Sequence, residues 1–370
     1  MTTRTVLTVL GTRPEAIKMA PVIRELRSRP AEFKVIVCST GQHREMLEQS
    51  LRFFGITPDM DLTVMTPNQT LAGLTSVLFG TLDGVVESTK PEWILAQGDT
   101  TSVMVAGIIA YYSKVKFGHV EAGLRTNDKF QPFPEELNRR IADRCADLLF
   151  APTEHAKQNL LREGFIDAKV HVTGNTVVDA LNSIVKTPFD WDSSRLSVLD
   201  RRQPWVLITA HRRESFGEPF RQLCAALRKL ALDFESHGIQ FLYPVHLNPN
   251  VRAPVTEILS GVSNLKLIDP LDYRSFVEAM AGARLILTDS GGVQEEAPGL
   301  GVPVLVMRET TERPEGIEAG VSKLIGTETE SIVRETSALL SSAELRRKMT
   351  GVKNPYGDGL ASKRIVDLLS

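Results

Sequence analysis

Cysteine is scarce in this chain of 370 residues. Cys38, Cys145 and Cys224 stand alone, at spacings that suit neither a metal centre nor a disulfide framework. A reducing cytoplasm is the simplest setting for such usage. A surplus of one charge is also missing. The 43 basic and 45 acidic residues leave a net charge of −2, so nothing argues for nucleic acid or an anionic membrane as partner. No apolar run approaches the roughly 18 residues of a membrane span. The short apolar run at residues 6–10 is followed at once by Gly-Thr-Arg-Pro, so it reads as a first strand and not as a signal peptide. No Gly-x-Gly-x-x-Gly follows that strand, and no Walker A motif occurs anywhere. A bound dinucleotide and P-loop phosphoryl transfer are therefore not the first choices. Short-period repeats and low-complexity tracts are absent too.

What remains is an ordinary globular composition, 42% hydrophobic and 24% charged, and a length that suits two domains. Short β-rich runs alternate with helical patterns throughout. Strands are predicted at residues 5–10, 34–39, 93–97, 116–120 and 148–152, then at 205–210, 240–245, 265–268, 285–288 and 303–306. A helix is predicted at 219–233, where Phe220, Leu223, Leu227 and Leu230 recur at three- and four-residue spacing. Such alternation predicts parallel sheets covered on both faces. It occurs twice, separated by a polar, proline-containing break at 186–204. The expected fold is α/β with two doubly wound domains, ligands sitting beyond the carboxyl ends of the strands and an active site in the cleft between the domains.

The most informative segment is Thr288-Asp289-Ser290-Gly291-Gly292-Val293-Gln294-Glu295-Glu296. It follows a buried-strand pattern and opens a helix. Ser290, Gly291 and Gly292 would offer unpaired N–H groups at the positive end of that helix, a natural diphosphate site. Glu296, about one turn further on, is an acceptor suited to sugar hydroxyls. The predicted ligand is a nucleotide sugar.

Polar residues also gather at other strand ends. Gly11-Thr12-Arg13-Pro14-Glu15-Ala16-Ile17-Lys18 places Arg13 and Lys18 where phosphate would welcome positive charge, although a solvated helix start would look the same. Asp99, in Gly98-Asp99-Thr100-Thr101, reads equally as an N-cap. Glu121, in His119-Val120-Glu121-Ala122-Gly123-Leu124-Arg125, could simply pair with Arg125. Glu135 and Glu136, after Pro134, could be ordinary helix N-terminal acids. His211 precedes Arg212, Arg213 and Glu214, and His246 ends a similar strand in Pro244-Val245-His246-Leu247-Asn248-Pro249. Arg313, in Thr311-Glu312-Arg313-Pro314-Glu315, could close over a nucleotide or form an ion pair with Glu312 or Glu315. Together, three separated carboxylates and a histidine at strand ends exceed what packing needs and suggest proton transfer on a sugar ring.

These same segments, with Asn354-Pro355-Tyr356-Gly357-Asp358-Gly359, resemble the non-hydrolysing UDP-N-acetylglucosamine 2-epimerases along nearly the whole chain. The resemblance implies the GT-B-like architecture, with residues 1–172 and 358–370 forming an N-terminal Rossmann-like domain and 173–357 a C-terminal one that binds UDP. It implies reversible conversion of UDP-GlcNAc to UDP-ManNAc by elimination of UDP, a 2-acetamidoglucal intermediate and re-addition, with no cofactor and no metal. By position, Asp99, Glu121, Glu135 and His211 are the catalytic residues. Arg13, Lys18, Phe276, Ser290, Gly291, Gly292, Glu296 and Arg313 bind substrate. Gln42, Arg212 and His246 match an activating second site, whereas Glu45 and Asn68 stand where many members have Gln and Arg. A cytoplasmic homodimer serving cell-surface polysaccharide synthesis is the expected setting. A hydrolysing relative releasing ManNAc and UDP, a GT-B glycosyltransferase and a catalytically inactive sensor stay open as alternatives.

Overall fold

Buried parallel strands organise the computed structural model, which describes residues 3–41, 44–66, 69–212 and 215–370, with the backbone alone for 44–46 and 48–49. The chain divides into two units, Met1–Ala180 with Gly357–Ser370, and Leu181–Tyr356.

The first unit holds β1 (Arg4–Leu10), β2 (Phe33–Ser39), β3 (Met60–Asp61), β4 (Trp93–Gln97), β5 (Lys116–Val120), β6 (Leu148–Ala151) and β7 (Val170–Val172). All neighbours pair in parallel, in the order β3-β2-β1-β4-β5-β6-β7. The second unit holds β8 (Trp205–Thr209), β9 (Gln240–Pro244), β10 (Leu265–Ile268), β11 (Leu285–Thr288), β12 (Val304–Val306) and β13 (Ser322–Leu324). Their order is β10-β9-β8-β11-β12-β13, again parallel. Both sheets are doubly wound, as the strand–helix alternation predicts. Strands β4 and β8 are buried along their whole length, which is why they read as continuous apolar runs.

Each sheet reverses its winding once, between β1 and β4 in the first unit and between β8 and β11 in the second. Ligands of such sheets bind outside the carboxyl ends at this switch point. The turns after these four strands begin at Gly11, Gly98, Ala210 and Asp289.

Three strands escape the sequence reading: β3, β7 and β13. Each has two or three residues and extends a sheet edge, too short for any periodicity to register. The division between units falls inside the helix Thr176–Val185, not at the expected 172/173 or in the break at 186–204. That break packs within the second unit. Arg274 donates to the carbonyls of Ile184 and Thr187, Arg195 donates to that of Pro270, and Trp191 packs against Trp205.

The final helix, Ala361–Asp367, belongs to the first unit. Asp179 accepts from the N–H groups of Ala361 and Ser362, and Arg4 donates to the Leu369 carbonyl. Among the described residues no helix is long and apolar enough to cross a membrane.

Candidate active site

The turn after β1 enters the helix Arg13–Arg27 with Pro14 in its first turn. Lys18, one turn in, is buried and paired with the Glu121 carboxylate. Glu121 was open to pairing with Arg125, but Arg125 instead binds Asp143 at 2.8 Å and Glu163 at 2.7 Å. Glu121 adopts φ +70, a left-handed conformation that is uncommon for a residue with a side chain. Such strain persists only where surrounding contacts hold it. Here the Glu121 and Ala122 N–H groups both donate to the Phe150 carbonyl.

Asp99 is not the N-cap of the helix Thr101–Tyr112; Thr100 is, accepting from the Val103 N–H. The Asp99 carboxylate pairs with Arg139, and its carbonyl accepts from the Asn138 amide at 3.0 Å. Both partners lie on the helix Glu135–Cys145. Behind the turn, His119 bridges Asp143 and the Gly98 carbonyl at 2.6 and 2.7 Å, wholly buried. Burial works against the Asp143 anion, but His119 and Arg125 outweigh it and hold its pKa below the usual carboxylate value.

The two acids after Pro134 have different roles. Glu136 is buried and holds Arg140 at 2.9 Å and Arg139 at 3.3 Å. Glu135 is half-buried, and its pKa is raised by desolvation and, to a lesser degree, by the nearby charge of Asp99, against the opposing effects of its backbone hydrogen bond and of Arg139. The structure thus brings Asp99 and Glu135 within electrostatic reach of each other.

In the second unit, the turn after β8 is tied to the turn after β11. The N–H groups of His211 and Arg212 donate to Asp289 Oδ2 at 2.6 and 2.8 Å, while Asp289 itself is buried. The half-exposed His211 ring stacks on that of His246, with centroids 5.3 Å apart and an 8° interplanar angle. Desolvation and the charge of His211 lower the His246 pKa.

Ser290 caps the short helix Gly291–Glu296 without a side-chain bond to it. The Ser290 N–H is not unpaired, since it donates to Thr288 Oγ1 at 2.9 Å. A β-strand-to-helix turn often satisfies its first N–H locally in this way. The first-turn N–H groups of Gly291, Gly292 and Val293 precede the first intrahelical bond, that of the Gln294 N–H to the Ser290 carbonyl.

Around this turn lies an arginine cluster. Glu312 contacts Arg308 at 2.7 Å, Arg313 at 3.1 Å and Arg212 at 3.3 Å. Burial opposes its charge, yet the three guanidinium groups bring its pKa down to about 2. A Cβ on Gly291 would lie 3.0 Å from the Glu312 carboxylate and 3.5 Å from Arg212 and Arg313. Arg313 also binds Glu295 at 2.7 Å, so its ion pairs extend beyond the expected Glu312 or Glu315. Glu296 is reached by the Tyr273 hydroxyl at 3.4 Å. Phe276 is half-buried on the same helix, Tyr273–Ala281.

In the first unit, then, Lys18 pairs with Glu121, and the charge of Asp99 reaches Glu135. Arg13 begins the helix that carries Lys18. In the second unit, His211, His246, Arg212, Arg313 and Ser290–Gly292 gather at the switch point. Gln42, Asn68, Arg213 and Glu214 lie outside the described residues, as does the Glu45 side chain. Sequence reading assigned no role to Arg139 or Asp289. The Glu135-x-x-x-Arg139 spacing, one helical turn, was the available signal for the first.

A profile of the UDP-N-acetylglucosamine 2-epimerase family matches residues 24–370. The chain is 50% identical to the UDP-N-acetylglucosamine 2-epimerase of Yersinia pestis over 371 residues, covering 98% of each. It is 49% identical to that of Bacillus subtilis, covering 98% of this chain and 94% of the relative. Among solved structures, the Neisseria meningitidis UDP-GlcNAc 2-epimerase bound to UDP-GlcNAc aligns with a TM-score of 0.90 at 46% identity, covering 99% of both chains. A Rickettsia africae glycosyltransferase aligns at a TM-score of 0.61 and 12% identity, which speaks to a shared GT-B-like fold alone. Nearly complete coverage at such identity leaves no room for a merely local likeness: the chain belongs to the UDP-N-acetylglucosamine 2-epimerase family.

Proposed function

We propose that the protein interconverts UDP-GlcNAc and UDP-ManNAc by the non-hydrolysing route, in the cytoplasm, as a homodimer and without a cofactor. C2 of the sugar is not adjacent to a ketone, so its proton is not acidic enough for simple exchange. Elimination solves this. A carboxylate takes the C2 proton, the C1–O bond to UDP breaks, and the C1=C2 bond of 2-acetamidoglucal forms. UDP then adds back at C1 while a carboxylic acid returns a proton to the opposite face of C2. No electrons are gained or lost overall.

Asp99 and Glu121 act as the acid/base pair near C2, and Glu135 assists the second proton transfer. His211 aids departure of the diphosphate. Arg13, Lys18, Ser290, Gly291, Gly292, Glu296 and Arg313 hold the substrate, and Phe276 walls the uracil side. The observation that carries this reading is the unlike treatment of neighbouring carboxyls. Asp99 is paired with Arg139, whereas burial and Asp99 favour the protonated form of Glu135. A carboxyl paired with a guanidinium beside one whose pKa is raised suits a proton-out, proton-in sequence.

The deciding experiment is proton NMR of the protein with UDP-GlcNAc in deuterated water, without nicotinamide or metal. UDP-ManNAc carrying deuterium at C2 is expected. Free ManNAc with UDP would replace this reading by the hydrolysing one. An unchanged spectrum with UDP-GlcNAc demonstrably bound would point to a transferase or a sensor.

A further inference from the structure

One buried side chain joins the two turns that carry Asp99 and Glu121. His119 lies on β5, two residues before Glu121, and has no part in the proposed chemistry. Its Nε2 is 2.7 Å from the carbonyl oxygen of Gly98, the residue before Asp99, and its Nδ1 is 2.6 Å from Asp143 Oδ1. The ring is wholly buried and stacks on Phe117, with centroids 6.1 Å apart and a 15° interplanar angle. The charges around it are those of Asp143 and, beyond it, Arg125, which lies 2.8 Å from Asp143 Oδ2 and is itself paired with Glu163. A carbonyl oxygen can only accept, and so can an ionised carboxylate. Both ring nitrogens therefore donate.

We propose that His119 is a positioning residue for Asp99: as an imidazolium balanced by Asp143, it clamps the Gly98 carbonyl and fixes the peptide plane from which Asp99 projects. The role rests on the epimerase reading above. The Gly98 carbonyl and the Asp99 N–H share that plane. Gly98 sits at φ +87, and a glycine puts up little steric resistance of its own to rotation of the plane. Its N–H is tied to the Val120 carbonyl at 3.0 Å, and His119 ties the carbonyl on its other side. Asp99 is then met from the helix Glu135–Cys145, its carbonyl by Asn138 at 3.0 Å and its carboxylate by Arg139. The same helix supplies Asp143. Strand β5 thus delivers Glu121 through its backbone and steadies Asp99 through the His119 side chain.

The test compares two variants of the full-length protein in turnover of UDP-GlcNAc. The amide nitrogen of glutamine falls near the place of the histidine Nε2, and that of asparagine near Nδ1. His119→Gln therefore keeps the donor to Gly98 and loses the one to Asp143, whereas His119→Asn does the reverse. Positioning through Gly98 predicts that His119→Asn lowers kcat roughly tenfold to a hundredfold, with KM within about twofold, while His119→Gln stays within about fivefold of the wild type. A role confined to holding the fold predicts the opposite order, because asparagine keeps the partner of buried Asp143. Equal losses in the two variants, or wild-type kcat in His119→Asn, overturn the proposal. Should either variant fail to fold, 15N NMR of the wild type decides. At about pH 8, where an ordinary histidine is neutral, both ring nitrogens of His119 should carry hydrogen, and a neutral ring overturns the proposal. A wild type that binds UDP-GlcNAc without turnover overturns the functional reading alone, and the NMR result then decides the His119–Gly98 link.

Discussion

Single carboxyl groups in this chain are set apart by what surrounds them, not by their residue type. Glu121 is paired with Lys18 and held in a left-handed conformation. Glu121→Gln should keep that geometry while losing the base. Turnover is expected to fall by at least about a hundredfold, with UDP affinity in calorimetric titration little changed; near-normal turnover would remove Glu121 from the chemistry. Glu15 makes a prediction about stability as well. Its pKa rises from 4.5 to about 7 on folding, so between these values the folded chain binds the extra proton. Stability from this group is complete below about pH 4.5 and falls as pH rises towards 7, by about 3 kcal/mol for so buried a carboxyl. Glu15→Gln should therefore gain stability relative to the wild type on moving from about pH 5 to about pH 8, as read by urea unfolding of the first unit. Parallel stability curves for the two proteins would contradict this.

At the scale of elements, turns matter more than helices or strands. The turn after β5 is built from Glu121, at φ +70, and Gly123, at φ +88. A Cβ on Gly123 would lie 2.3 Å from the Ala156 carbonyl oxygen, a backbone atom that cannot step aside. Gly123→Ala should cost about 2–4 kcal/mol or more and reduce turnover, because the same turn aims Glu121. Thermal unfolding would check this, and a shift within about 2 °C would mean that the turn is softer than its geometry suggests. The helix Glu135–Cys145 has a comparable part. It supplies Glu135, the Arg139 that pairs with Asp99, and the Asn138 that binds the Asp99 carbonyl.

At the scale of the molecule, the chain leaves its first unit near Ala180 and returns at Gly357. The returning segment buries Ala361, Ile365, Val366 and Leu369. These four apolar side chains are worth on the order of 5 kcal/mol, comparable with the whole stability of a domain. A chain ending at Tyr356 should accordingly lose cooperative unfolding of the first unit, while Leu181–Tyr356, which is continuous and has its own core, keeps it. Hydrogen exchange resolved by peptide would show protection lost from β1 and from Arg13–Arg27 and retained in β8 and β11. Equal protection throughout would mean that the last helix is dispensable.

Much of this was legible in the sequence because it is local. Apolar runs such as Trp93–Gln97 and Trp205–Thr209 announce buried parallel strands, and glycines and reactive side chains mark the turns beyond them. The combined motifs suffice to identify the family. Strand order and partner choice are not local. Nothing along the chain says that Arg125 prefers Asp143 and Glu163 to Glu121, or that the Ser290 N–H is taken by Thr288. Those outcomes depend on which turns the sheet order brings side by side and on how much water each carboxyl loses there. Tertiary structure alone decides both.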